Sequence, residues 1–218
     1  MDYRRLGKSG LRVPALSFGT GTFGGGNDFF KAWGSTDATG AARLVDICLD
    51  HGVNLFDSAD VYSNGLAEQI LGAAIKGKRN RLLISTKATF PVGDGANDYG
   101  SSRQHLLDAV DKALQRLGTD YIDLWQIHRL DHETPVEETM EALHDVVKAG
   151  KARYIGASAM HAWQFSKMQY VATLNGWTRF VSMQDEYNLI MREEEREMFG
   201  LQRELIGSFQ ATERRRRA

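Results

Sequence analysis

Ile122-Asp-Leu-Trp-Gln-Ile-His128 is the stretch that decides the fold of this 218-residue chain. Its short, mainly apolar run ends directly on a histidine, which is typical of a buried parallel strand that carries a functional side chain at its carboxyl end. Comparable runs occur on both sides of it, at Ala15–Phe18, Val53–Phe56, Leu82–Ser85, Ala152–Gly156 and Phe180–Met183. The sequence therefore predicts six strands.

Segments with helical spacing separate these strands. They lie at Ala38–His51, Ala67–Ile75, Arg103–Leu117, Val136–Ala149 and Ala162–Leu174. Strands that alternate with helices imply a parallel sheet with right-handed crossovers. Before them, Tyr3 to Val13 is predicted to form a hairpin that plugs one end of the structure.

Two architectures fit this alternation: an open doubly wound sheet, or a TIM-type (β/α)₈ barrel. The residues at the strand ends distinguish them, and these are Gly19, Asp57, Lys87, His128, Ser158 and Gln184. A barrel takes functional groups from the ends of several strands, whereas a doubly wound sheet concentrates them at one switch point. We therefore expect a barrel with an N-terminal hairpin, interrupted after about six strand–helix units.

The motif Gly19-Thr-Gly21-Thr-Phe-Gly24 matches the spacing of the dinucleotide-binding fingerprint. That fingerprint also requires a helix to begin at the glycines, and here a long loop follows them. We interpret these glycines as allowing a loop to approach a flat ligand closely.

Composition limits the other classes of function. A net charge of −1 gives no electrostatic basis for binding nucleic acid or an anionic membrane. The N-terminus lacks the apolar run of a signal peptide, so we expect a cytoplasmic protein. The strand ends carry no cluster of histidines and carboxylates, so we expect no metal site. Cys48 is expected to be a core residue.

Reduction of a carbonyl group requires a hydride at carbon and a proton for the developing alkoxide. The ordinary pKa of a tyrosine phenol, about 10, makes it a weak acid near neutral pH. A neighbouring ammonium group stabilises the phenolate, and a carboxylate can hold that ammonium in place. A neutral histidine can hydrogen-bond the substrate oxygen or relay a proton.

The sequence supplies these four groups around neighbouring strand ends, as Asp57, Tyr62, Lys87 and His128. Separately, Asp57 could cap a helix, Tyr62 could be a loop aromatic, and His128 could be a structural histidine. Lys87 is harder to explain in this way because lysine is rarely buried without a partner. Their occurrence on three consecutive strand–helix units favours one shared site.

Four motifs occur in order: Asn54-Leu-Phe-Asp-Ser-Ala-Asp-Val-Tyr62, the strand ending at Lys87, Asp123-Leu-Trp-Gln-Ile-His128, and Gly150-Lys-Ala-Arg-Tyr-Ile-Gly-Ala-Ser158. As an ordered set they resemble the aldo-keto reductases, and the likeness runs from about residue 4 to residue 199. The resemblance implies a (β/α)₈ barrel that reduces aldehydes or ketones with NADPH, less often NADH. The cofactor would bind in an extended form without a Rossmann domain.

The resemblance also implies residue roles. Tyr62 would be the general acid, Lys87 its partner, Asp57 the residue that pairs with Lys87, and His128 the residue that orients the substrate. Thr22, Asp57, Ser158 and Gln184 would lie at the cofactor, the last two on its carboxamide, and Trp33 would form a wall of the substrate pocket. Ala159 departs from the family, in which many relatives carry a polar side chain.

The family pattern ends near Phe199, and the sequence indicates no further buried strand. We therefore divide the chain into an incomplete barrel, residues 1–200, and an atypical tail, residues 201–218, and attribute the change to a shifted or truncated reading frame. The four arginines at the end indicate a solvated terminus. Open sheet edges could support oligomers. Besides a reductase, a cofactor-binding regulatory subunit and an inactive fragment remain open.

Overall fold

The computed structural model describes residues 1–25, 28–207 and 210–212. The chain begins with an antiparallel hairpin of β1 (Tyr3–Arg5) and β2 (Arg12–Pro14). Leu6 and Val13 of this hairpin are buried in a cluster with Leu55 and Leu124 from the larger sheet. The hairpin thus covers one end of that sheet, as the sequence predicts.

The larger sheet has seven strands, all parallel, and each pairs with the next strand in the sequence. This order is that of a singly wound barrel, because a doubly wound sheet reverses its order at a switch point. The strands are β3 (Phe18–Gly19), β4 (Leu55–Asp57), β5 (Leu83–Ala88), β6 (Ile122–Ile127), β7 (Ala152–Ser158), β8 (Ser182–Glu186) and β9 (Gln210–Thr212).

The sheet is strongly curled. Gln184 on β8 donates a hydrogen bond to Asp57 on β4, with 3.3 Å between the Nε2 and Oδ2 atoms. A flat sheet with about 4.8 Å between neighbouring strands would separate these two strands by about 19 Å. The sheet therefore forms most of a (β/α) barrel wall, which confirms the predicted fold class.

The helices alternate with the strands and pack on the outer face of the sheet. They are α1 (Asp28–Lys31), α2 (Ala38–Asp50), α3 (Leu66–Ala74), α4 (Arg103–Leu117), α5 (Val136–Lys148), α6 (Ala162–Leu174) and α7 (Met198–Leu205). Trp125 of β6 is fully buried in one apolar cluster with Leu106 of α4 and Leu143 of α5. No helix in the described part of the chain combines the length and apolar character needed to cross a membrane.

The sequence indicates no further buried strand after residue 199, and the structure adds one short strand there, because β9 pairs with the edge of β8 with Gln210 opposite Gln184. Its Gln-Ala-Thr sequence has no apolar run, so periodicity cannot reveal it; pairing with the backbone of β8 defines it instead. The predicted domain boundary at residue 200 falls within α7 and stays a prediction. The arginine-rich terminus after Thr212 lies outside the described residues, as do residues 26 and 27 of the first loop.

Candidate active site

All eight residues that the sequence singles out line one cavity of about 310 Å³ at the carboxyl end of the sheet. Four of them lie at or next to the carboxyl ends of β4, β5, β6 and β7, and Gln184 lies in the middle of β8. The other three come from loops that follow β3 and β4. The eight residues are Thr22, Trp33, Asp57, Tyr62, Lys87, His128, Ser158 and Gln184.

A buried ion pair lies at the base of this cavity. The Nζ atom of Lys87 is 2.6 Å from Oδ2 of Asp57 and donates to the Ser58 carbonyl oxygen at 2.8 Å. Burial opposes the charge on Lys87, but the Asp57 carboxylate and then Tyr62 outweigh it and raise the pKa of the ammonium group. Lys87 is therefore a fixed positive charge at neutral pH.

A hydrogen-bond network that the sequence analysis missed holds Asp57 in place. Ser85 donates to Oδ1 of Asp57 at 2.8 Å, and Gln126 donates to the Ser85 hydroxyl oxygen at 2.9 Å. Gln126 also donates to the Gln184 amide oxygen at 3.2 Å. The signal was present in the sequence, since Ser85 and Gln126 lie two residues before Lys87 and His128 and so share their inward faces.

Tyr62 lies directly beside this ion pair. The Nζ atom of Lys87 is 5.5 Å from the centre of the Tyr62 ring, and the Tyr62 and His128 rings meet edge to face at 5.8 Å. Tyr62 begins a short 3₁₀ helix in which Ser63 and Asn64 have positive φ angles of 51° and 55°. Such backbone is costly for residues other than glycine, so the surrounding structure must enforce it.

The Ser63 side chain supplies part of that enforcement. Its hydroxyl donates to the carbonyl oxygen of Phe23 at 2.9 Å and accepts from the Gly25 amide at 3.1 Å. Both partners belong to the glycine-rich loop after β3. That loop and the turn carrying Tyr62 are therefore fixed to each other.

Aromatic side chains form two walls of the cavity. On one side the centre of the Trp33 ring lies 5.7 Å from that of Phe30 and 6.3 Å from that of Tyr62. On the other, the Phe90 ring meets His128 edge to face at 4.6 Å. A Cβ atom at Gly21 would lie 3.1 Å from the Trp33 ring, so this glycine allows the loop to approach the indole closely. The walls suit a flat or apolar organic molecule.

Ser158 and Gln184 form the remaining side of the cavity. The Ser158 hydroxyl donates to the Gln184 carbonyl oxygen at 2.8 Å, which leaves its own oxygen able to accept. One N–H of the Gln184 amide donates to Asp57, and the second donates to no described residue. An acceptor and a donor at one side of an aromatic-walled cavity fit the carboxamide of a nicotinamide ring.

Two buried carboxylates, Glu68 and Asp60, lie next to the loop that carries Tyr62. Glu68 is fully buried and accepts from the Thr86 hydroxyl at 2.5 Å and from Nε of Arg116 at 2.6 Å. Asp60 is 3% exposed, and no side chain among the described residues donates to its carboxyl oxygens. Burial first, and then the charge of Glu68, raise the pKa of Asp60 to about 8 against the opposing influence of Arg116, the Val61 amide and Lys87.

Comparisons with known proteins agree with this geometry. Residues 15–207 match the family model described as the Aldo/keto reductase family. The chain is 46% identical to versiconal hemiacetal acetate reductase of Aspergillus parasiticus, over 91% of this chain and 62% of that protein. It is 42% identical to a putative aryl-alcohol dehydrogenase of Saccharomyces cerevisiae, over 89% and 62% of the two chains.

An aldo-keto reductase of Fusarium vanettenii is also 42% identical, over 91% of this chain and 60% of that protein. The chain thus spans less than two thirds of the length of these curated relatives. The family match covers most of the chain, including every residue of the cavity, and confirms the resemblance inferred from the motifs. The chain belongs to the aldo/keto reductase family.

Proposed function

We propose that this chain carries the site of an NAD(P)H-dependent oxidoreductase that reduces an aldehyde or ketone to an alcohol. The observation that supports this most directly is the buried Lys87–Asp57 pair beneath Tyr62 and beside His128. A nicotinamide cofactor would supply the hydride to the carbonyl carbon. The chain would bind and orient the carbonyl compound and donate the proton.

Tyr62 is the proposed proton donor. As the carbonyl oxygen gains negative charge, the Tyr62 hydroxyl transfers its proton to that oxygen, and the phenolate is stabilised by the nearby Lys87 ammonium. Asp57 keeps Lys87 charged and in position at 2.6 Å. Ser85 and Gln184 donate hydrogen bonds to Asp57, and Gln126 donates to both of them. The charged groups beside the general acid are therefore preorganised.

His128 is the proposed orienting group for the carbonyl oxygen. It is 6% exposed and its ring lies between those of Tyr62 and Phe90. A neutral imidazole there can donate to the same oxygen that receives the Tyr62 proton. Trp33 and Phe90 would hold the organic part of a small-molecule substrate by apolar contact.

Ser158 and Gln184 are the residues that would hold the nicotinamide carboxamide, with Thr22 and Asp57 near the ring. The preference for NADPH over NADH rests on the family alone. A cytoplasmic location stays a prediction. So does association through the sheet edges, where β3 and β9 have no outer neighbour in the described part of the chain.

The test is a pair of measurements on the full chain. NADPH binding is followed by tryptophan fluorescence, and reduction of an aromatic aldehyde is followed by NADPH absorbance. Tyr62→Phe should lower kcat by roughly 10²–10⁴-fold, the usual loss for a general acid, while exposed Tyr170→Phe should leave it unchanged. Equal rates in the wild type and Tyr62→Phe would remove Tyr62 from the mechanism. Cofactor binding with no turnover of any carbonyl compound would favour the regulatory alternative.

A further inference from the structure

Arg129 extends the cavity beyond the proposed catalytic groups. It directly follows His128 and lines the same cavity. Its Cζ atom is 4.6 Å from the centre of the Phe90 ring, and that ring is 4.6 Å from the His128 ring. The Cζ atom of Arg129 therefore lies no more than twice 4.6 Å from the centre of the His128 ring. Stacking on Phe90 restrains the position of the guanidinium group.

No carboxylate in residues 1–25 and 28–207 lies within 4.0 Å of the Arg129 guanidinium. The nearest acid in the sequence, Asp131, is engaged elsewhere. It accepts from the Ser101 amide at 2.7 Å, the Glu133 amide at 2.9 Å and the Thr134 hydroxyl at 2.6 Å. Arg129 is thus a positive charge at the cavity for which the described residues supply no close counter-ion.

The other charges of the cavity do not cancel it locally. Lys87 and Asp57 neutralise each other at the base. Glu186 also lines the cavity but ends β8, two strands away from β6 and on the side of Ser158 and Gln184. The wall formed by His128, Phe90 and Arg129 is therefore the positive side, and it is the side where we place the substrate.

We infer that Arg129 is a specificity-determining residue that selects carbonyl substrates carrying an anionic group, a carboxylate or a phosphate, on an aromatic or apolar framework. The inference rests on the proposed function, since it takes the carbonyl oxygen to lie at Tyr62 and His128. The planar guanidinium matches the oxygens of either anion with two parallel hydrogen bonds. The Phe90 ring would contact the framework between the carbonyl group and the anion.

The experiment compares substrates that differ only in this charge. We would measure kcat/KM for 4-carboxybenzaldehyde, its neutral isostere 4-formylbenzamide, and 4-formylphenyl phosphate. The test variant is Arg129→Met, which keeps an apolar stem. The matched control is Arg153→Met, because Arg153 stacks on Tyr121 at 4.4 Å near the start of β7, at the opposite end of the strand from the cavity.

We expect the wild type to favour the carboxylate over the amide by roughly tenfold, the scale of one charge-assisted contact at a partly exposed site. Arg129→Met should abolish this preference and Arg153→Met should keep it. The preference should also shrink at high ionic strength. The ratio of phosphate to carboxylate turnover identifies which anion the site takes. An equal carboxylate-to-amide ratio in the wild type and Arg129→Met would overturn the inference.

Turnover of the neutral amide tests the proposed function separately. If no variant reduces any aldehyde, the proposed function fails, and direct binding decides the role of Arg129. The same ligands are then titrated without cofactor, with Trp33 in the cavity as the fluorescent reporter and Trp33→Phe as its control. Tighter binding of the carboxylate than of the amide, lost in Arg129→Met only, supports the anion site. Binding that is indifferent to charge, or absent, overturns it.

Discussion

Replacing Asp60 by asparagine tests the electrostatics behind the Tyr62 loop. The ordinary pKa of this carboxyl is 3.8, and burial beside Glu68 raises it to about 8 in the folded chain. Between these values the unfolded chain releases a proton that the folded chain retains, so the folded state binds more protons. The free energy of unfolding should therefore fall as pH rises through this window.

The size of the effect follows from the width of that window. Each pH unit costs at most about 1.4 kcal/mol, so the wild type loses up to about 4 kcal/mol between pH 4 and pH 7 from this group. Asparagine has nearly the same shape and no charge, and it removes this loss. Its amide needs a new hydrogen-bond acceptor, which costs about 1–3 kcal/mol. We expect Asp60→Asn to be more stable than the wild type at pH 7 by about 1–3 kcal/mol.

The assay is urea unfolding followed by tryptophan fluorescence at several pH values between 5 and 8. Asp185 also has a pKa raised to about 8, by burial and then by Glu194. The free energy of unfolding of both the wild type and the variant therefore still depends on pH through that group. The difference between variant and wild type isolates Asp60. Exposed Asp50→Asn serves as the control. A variant whose stability depends on pH as steeply as the wild type does would refute the reasoning.

Two further changes probe the groups around Tyr62. Lys87→Met should lower kcat by at least about 10²-fold and destabilise the fold by about 3–5 kcal/mol, because it leaves the Asp57 carboxylate buried without its partner; steady-state kinetics and urea unfolding measure the two effects, and retention of both would contradict the ion-pair argument. Thr86→Val should cost about 1–3 kcal/mol of unfolding free energy because Glu68 loses a buried donor at 2.5 Å, and an unchanged urea midpoint would show that this bond contributes nothing.

The fold and the list of cavity residues could be predicted from the sequence because each strand from β3 to β8 carries its own signal. The predicted range Ile122–Ile127 is the strand that the structure contains, since its apolar run has clear ends. The last predicted strand, Phe180–Met183, begins two residues too early and ends three too early, because β8 continues through Gln184, Asp185 and Glu186. Gln184 and Glu186 line the cavity and Asp185 is buried, and the spacing of apolar residues indicates neither environment.

The parts that were missed depend on neighbours distant in the sequence. The spacing of Ser85 and Gln126 from Lys87 and His128 indicates that they face inward. It does not show that they hydrogen-bond Asp57 and Gln184, because those residues lie on other strands. The sequence does not show that Arg129, in the loop after β6, stacks on the ring of Phe90. Chemical roles of this kind depend on contacts between residues that are far apart in the sequence, and these contacts form only in the folded chain.

The bond between Gln184 and Asp57 also has a consequence for the order of folding. Its two residues are 127 positions apart in the chain, and the entropy of closing so long a loop must be overcome before the contact forms. The Lys87–Asp57 pair needs only two neighbouring strands and can form early. The polar floor of the cavity is complete only when the whole arc from β4 to β8 has assembled, so the candidate active site should be among the last regions of the molecule to become ordered.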